Sequence, residues 1–283
     1  MIDQINLLEK IDKVAAVCRK LGLSGLPPAG KNLLKPLFGD RISVHVEGLE
    51  ISASLEHRHY LQALRRGEVE SLTTNLFACV IRPGMVVLDI GAFVGWYTLL
   101  AARQVGERGK VYAFEPDPRN YALLSENLHM NQLDAQVISL PKAVSNQAGV
   151  QRLFRGGDQS QSSLINSSGE DQTSTMVPTV VLDEILDRNL QVDVIKLDVD
   201  GGEVNALRGM RKTLTRAAPT VKLFVECKPG SLQYAGESAQ SLMAELHELG
   251  FAIFMIDETR PGLKPVDSTI ETAKQINLFC IRV

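Results

Sequence analysis

Residues 3–21 place Ile5, Leu8, Ile11, Val14, Ala15 and Cys18 at three- and four-residue steps, which predicts an amphipathic helix ended by the Leu-Ser-Gly-Leu-Pro-Pro-Ala-Gly stretch at 23–30. From Arg41 the pattern changes to alternation, Arg-Ile-Ser-Val-His-Val then Leu-Glu-Ile-Ser-Ala-Ser-Leu. The interruption at Glu47-Gly48 predicts a β-hairpin. A helix is expected from about Tyr60 to Cys79. After Pro83-Gly84, short apolar runs alternate with helical periodicities: MVVLDI, VYAF, AQVISL, DVIKLDV, VKLFVE, AIFMI and INLFCIRV are separated by segments such as TLLAARQV, RNYALLSENLHM, EVNALRGMRKTL and ESAQSLMAELHELG. This alternation predicts a doubly wound α/β domain, with crossovers of the length a βαβ unit needs. The chain is therefore expected to divide into an N-terminal helix and hairpin extension, residues 1–79, and an α/β domain, residues 80–283. Residues 155–176 are rich in Ser, Gln and Gly and lack periodicity, so a loop or a lid is expected there.

Composition narrows the function classes. Thirty Lys+Arg against 33 Asp+Glu leave a net charge of −3, which supplies no global attraction for a polyanion, so nucleic acid is disfavoured. The four cysteines, Cys18, Cys79, Cys227 and Cys280, form neither a CxxC pair nor a zinc-ligand spacing, which fits a reducing compartment. Asp3, Glu9 and Asp12 break any signal-peptide core, and Asp89, Gly91 and Gly95 interrupt the most membrane-like stretch. A cytoplasmic protein with no membrane partner is expected, and a homodimer is left open.

The segment VVLDIGAFVGWYTLL carries the chemistry. An apolar strand ends at Asp89-Ile90-Gly91 and a helix begins near Gly95, where glycines allow a sharp turn and the helix start offers free N–H groups. The next strand ends in Glu115, 24 residues beyond Gly91, where a carboxylate can accept both hydroxyls of a ribose. A dinucleotide site favours GxGxxG. This chain has Gly91-Ala92-Phe93-Val94-Gly95, and Asp89 would repel a pyrophosphate but attract a sulfonium or an ammonium group. S-adenosylmethionine is thus preferred over NAD, with an NAD-dependent Rossmann oxidoreductase as the alternative.

The segments LDIGAFVGWYTLLAA, VYAFEPDPRNYALLSENLHMN, PKAVSN, VVLDEIL and DVIKLDVDGGEVNALRGM, between about residues 83 and 228, occur in the order seen in FkbM-type methyltransferases, which the chain resembles. The resemblance implies the class I methyltransferase fold, a Rossmann-like seven-stranded sheet, and S-adenosylmethionine-dependent O-methylation of a sugar, a polyketide or a related small molecule. It further implies that Asp89, Gly91, Ala92 and Phe93 line the methionine and ribose end, that Glu115 holds the ribose, that Lys142 and Ala143 lie beside adenine, and that Glu70 reaches the cofactor. The family wording KLDVEGAE is here Lys196-Leu197-Asp198-Val199-Asp200-Gly201-Gly202-Glu203, which shortens one acid and weakens a helix start by about 1 kcal/mol. That departure makes a cofactor-binding module without turnover a third reading. Strand-tip placement makes Asp198, Glu226 and Asp200 the candidate catalytic acids; the first two are favoured as a general base for a hydroxyl proton. The same acids could hold a divalent cation, but no metal site is favoured.

Overall fold

A computed structural model of the chain describes residues 41–155, 162–166, 173–260 and 262–282. The helix expected over residues 3–21 lies outside them. The chain separates into two compact units, residues 1–69 and 70–283, so the boundary falls ten residues before the one expected. The reason is local. The single helix expected from Tyr60 to Cys79 is two, α1 (Arg58–Arg65) and α2 (Ser71–Val80), separated by a turn in which Gly67 has φ +66° and Glu70 φ +40°. Periodicity alone carries no signal for such a left-handed break.

In the smaller unit, β1 (Arg41–Val46) and β2 (Leu49–Ser54) pair antiparallel, with Val46 opposite Leu49. Glu47 and Gly48 between them have φ +51° and +80°, the double left-handed turn whose twist matches that of the flanking strands. The alternation found in the sequence buries Ile42, Val44, Leu49, Ile51 and Ala53, and α1 contributes Leu61 and Leu64.

The larger unit continues from α2 through β3 (Val86–Ile90), α3 (Trp96–Val105), β4 (Lys110–Phe114), α4 (Pro118–Met130), β5 (Val137–Leu140), β6 (Ala143–Val144), β7 (Gly149–Arg155), β8 (Ser162–Ser163) and β9 (Ser174–Val180). It then runs through α5 (Leu182–Ile185), β10 (Val194–Leu197), α6 (Glu203–Gly209), α7 (Arg211–Arg216), β11 (Lys222–Cys227), α8 (Pro229–Tyr234), α9 (Ala239–Glu248), β12 (Phe251–Ile256), β13 (Leu263–Pro265) and β14 (Ile276–Arg282). The main sheet has the order β13-β12-β14-β11-β10-β3-β4-β5. Strands β5, β4, β3, β10 and β11 are parallel, and β14 is antiparallel to both β11 and β12. This is the Rossmann-like order of the class I methyltransferase sheet. It has eight strands rather than the seven expected, because Leu263–Pro265 folds back on the edge of β12. All three residues of β13 are exposed, so it lacked the apolar pattern by which the other strands were read.

Helices on both faces explain why the central strands read as continuous apolar runs. On one face Ile195, Leu197, Leu223 and Val225 join Val204, Leu207, Leu214, Leu242 and Leu246 in a single core. On the other, Phe77 meets the rings of Tyr97 and Phe224 edge-on at 5.1 and 5.3 Å. A second, four-stranded sheet, β6-β9-β7-β8, closes over a small core of Ala143, Leu153 and Val177. Within residues 155–176, where a loop or a lid is expected, the described residues at 155, 162–163 and 174–176 are strand.

Candidate active site

The sheet grows in opposite directions from β3 and β10, and in open α/β sheets ligands bind where the direction reverses, beyond the carboxyl ends of these strands. The two tips are in backbone contact: Asp198 N–H donates to Ile90 O at 2.9 Å. Gly91 has φ +90°, and a Cβ built on it would lie 1.7 Å from the Asp198 carbonyl oxygen. Its glycine is therefore required by this approach of β3 to β10, as well as by the turn. The loop continues through Phe93, at φ +52°, to Gly95, which starts α3 at φ +100°.

Glu115 follows the tip of β4 and is 4% exposed. Its Oε2 accepts the Phe93 N–H at 2.8 Å and its Oε1 the Asp117 N–H at 2.9 Å. The Asn120 side chain donates to the carboxylate as well, which leaves one of its acceptor positions for a hydroxyl. Burial pushes Glu115 up to about 8, against these hydrogen bonds. Ala92 and Ala143 are each 5% exposed. A hydroxyl-accepting carboxylate beside an open glycine turn fits the adenosine of S-adenosylmethionine better than a pyrophosphate. Asp89 is placed differently from the expectation. Its carboxylate is 1% exposed and accepts from the Thr98 hydroxyl in α3, and burial pushes it up to about 6. It buttresses the loop from behind.

At the neighbouring tips the structure gathers the sequence-selected acids. Glu70, Asp198 and Glu226 each offer a carboxylate oxygen, all within 4.8 Å of one another. Glu70 arrives through the left-handed turn before α2; it accepts from the Tyr97 hydroxyl at 2.7 Å and from Gln275 Nε2 at 3.0 Å. Two lysines supply counter-charge. Lys196 Nζ donates to Asp198 Oδ2 at 2.9 Å and lies 5.0 Å from the centroid of the Tyr97 ring. Lys228 Nζ reaches Asp200 Oδ1 at 2.6 Å and Glu226 Oε2 at 2.7 Å. Burial would raise Asp198, but Lys196 and Lys228 overcome it and hold the carboxyl well below the usual range. Glu226 is raised by burial and then by the facing Asp198. Such a pair titrates as a unit. The three clustered carboxylates could ligate a divalent cation, although the lysines already neutralise part of their charge.

Glu203, the first residue of α6, accepts the N–H groups of Val199 and Gly201, and burial pushes it up to about 7. It holds the turn in which Asp200 has φ +52°. Sequence reasoning missed Lys196, Lys228, Tyr97 and Gln275. An interior lysine in a strand of four buried residues was the one available signal, since burial of an ammonium demands acidic partners.

The family model described as the methyltransferase FkbM domain matches residues 89–253. A curated relative, the tRNA (adenine(58)-N(1))-methyltransferase TrmI of Thermus thermophilus, is 33% identical over 95 residues, 32% of this chain; the matched segment spans about a third of that enzyme's length, 34%. Among solved structures, a SAM-dependent O-methyltransferase from Thermotoga maritima is 18% identical, with 86% of this chain and 77% of that one covered and a TM-score of 0.44. A methyltransferase FkbM from Methylobacillus flagellatus is 14% identical, with coverages of 81% and 55% and a TM-score of 0.45. The family match spans more than half of the sequence and contains the glycine turn, Glu115 and the strand-tip acids: the chain belongs to the FkbM methyltransferase domain family, whose cofactor is S-adenosylmethionine.

Proposed function

We propose that this protein transfers a methyl group to a hydroxyl of a small molecule, a sugar, a polyketide or a related metabolite. The observation that carries the reading is the Asp198–Glu226 pair at the strand tips against Gly91. In this reading Gly91, Ala92 and Phe93 form the wall against the ribose and methionine portions, Glu115 accepts from a ribose hydroxyl, and Ala143 packs against the adenine side. Glu70 closes the crevice from α2, and Asp89 fixes the loop through Thr98.

The cofactor supplies an electrophilic methyl group. The protein's part is to hold the acceptor oxygen in line with it, an effect worth about 7–11 kcal/mol, and to take the hydroxyl proton, worth about 10²–10⁴-fold. Asp198 is the better placed acid for that proton. Its side chain is 28% exposed, whereas that of Glu226 is 3% exposed and turned to Lys228. Glu226 then acts as the partner that shares the proton, and Asp200 anchors Lys228. The carboxylates at the tips also disfavour an acceptor rich in phosphate, which argues for a small molecule over a nucleic acid. Among the described residues no helix is long and apolar enough to cross a membrane.

Isothermal titration with S-adenosylhomocysteine, with NAD alongside, tests the cofactor site, and methyl transfer from labelled donor to panels of hydroxylated sugars and polyketides, with and without EDTA, tests the acceptor. Micromolar binding of the first ligand alone and transfer to a hydroxyl are expected. Transfer only to an amine or to RNA would overturn the acceptor class, and cofactor binding with no transfer would favour a module without turnover.

A further inference from the structure

Lys196 lies in the interior of β10 and is 1% exposed. A buried ion pair is often replaceable by apolar side chains with no loss of stability, so stability gives β10 no reason to carry a lysine among Val194, Ile195 and Leu197. Its surroundings supply one. Its Nζ donates to Asp198 Oδ2 at 2.9 Å and sits over the Tyr97 ring, and the Tyr97 hydroxyl in turn holds Glu70. Among the described residues, the charged groups facing this centre include Asp89 from β3, Glu70 from the start of α2, Glu226 from β11, Glu203 from α6, and Asp198, Asp200 and Lys228 at the tips. The Asp198 backbone touches Gly91 in the glycine turn.

We propose that Lys196 is a positioning residue that holds the Asp198 carboxylate at the tip of β10 beside the glycine turn, and that this carboxylate raises the affinity of the site for the cationic sulfonium donor relative to the neutral thioether product. The inference rests on the cofactor reading. It gives the site a means of releasing product that needs no moving part, because transfer of the methyl group removes the charge that Asp198 attracts. A neutral or protonated group at 198 would lack it. Lys196 also keeps Asp198 charged at neutral pH by overcoming its burial.

The test is the ratio of dissociation constants, S-adenosylhomocysteine over S-adenosylmethionine, measured by titration calorimetry between pH 6.5 and 8.5. Groups that contact adenosine or the amino-acid portion, including Glu115, act on both ligands and cancel in the ratio. Asp198→Asn should lower the ratio several-fold, because it removes the anion that acts on the sulfonium and not on the thioether. Lys196→Met should match or exceed the wild-type ratio at pH 8.5 and fall more steeply than the wild type as pH is lowered to 6.5, because Asp198 loses one of the two cations that oppose its burial; the wild-type protein and Lys196→Arg should stay nearly flat. A purely structural lysine would change both affinities together and leave the ratio alone. A wild-type ratio in Asp198→Asn, or a wild-type pH profile in Lys196→Met, would overturn the proposal. If Lys196→Met does not fold, Asp198→Asn and Lys196→Arg decide it. Failure of the wild-type protein to bind either ligand is a distinct result, which sinks the cofactor reading itself.

Discussion

Burial sets the titration of the site acids one residue at a time. Asp89, Glu115 and Glu203 are held up to about 6, 8 and 7 by loss of water. A raised carboxyl binds more protons folded than unfolded, so its contribution to stability is complete below its unfolded value and is lost as pH rises through the folded one. The urea midpoint should therefore fall between pH 5 and pH 8.5, and Glu115→Gln should flatten that slope, each displaced unit being worth ~1.4 kcal/mol. An unchanged slope in the variant would contradict the burial argument for Glu115. Glu115→Ala should also weaken S-adenosylhomocysteine binding above pH 8, where the carboxylate is charged, at about 1.5–3 kcal/mol for each hydrogen bond to a charged acceptor; an unchanged dissociation constant there would remove the ribose assignment. At this scale the sequence was a good guide to which acids stand at strand tips, because strand ends can be read from apolar runs. It did not tell which way Asp89 points. That depends on the Thr98 hydroxyl, nine residues on and one helix turn above the loop.

Elements meet in ways that fix the site from a distance. Gly91→Ala would drive a methyl group into the Asp198 carbonyl at a φ of +90°. A loss of about 1–3 kcal/mol from the strained backbone alone, with weakened cofactor binding, is expected in thermal unfolding and titration. The first turn of α2 is capped by Glu258, beyond β12, whose carboxylate accepts the N–H groups of Leu72 and Thr73 at 2.7 and 2.9 Å and the Thr73 hydroxyl at 2.6 Å. Glu258→Ala should cost about 0.5–2 kcal/mol, as loss of an N-cap does. It should also speed hydrogen exchange at Leu72 and Thr73; unaltered exchange there would show that the cap is dispensable. The hairpin and the central strands were legible because their apolar spacing is regular. The break between α1 and α2 and the small second sheet were not. The former turns on left-handed residues in a charged stretch, and β8 is two residues long.

For the molecule as a whole, every candidate site residue falls in residues 70–283, one compact unit. That segment expressed by itself should unfold cooperatively and bind S-adenosylhomocysteine within about threefold of the full chain, since the described hydrogen bonds of the site are internal to it; a segment that folds but does not bind would assign part of the cofactor site to residues 1–69. The sequence by itself determined the α/β class, the glycine turn and the acids at the tips, because all of these follow from local periodicity and from residue types at element ends. The meeting of Glu70, Asp198 and Glu226 around Lys196, the neutralising role of Lys228 and the inward turn of Asp89 were decided only by tertiary structure. They depend on groups as much as 156 residues apart in sequence being desolvated together, and the charge each one carries is set by neighbours that no local pattern specifies.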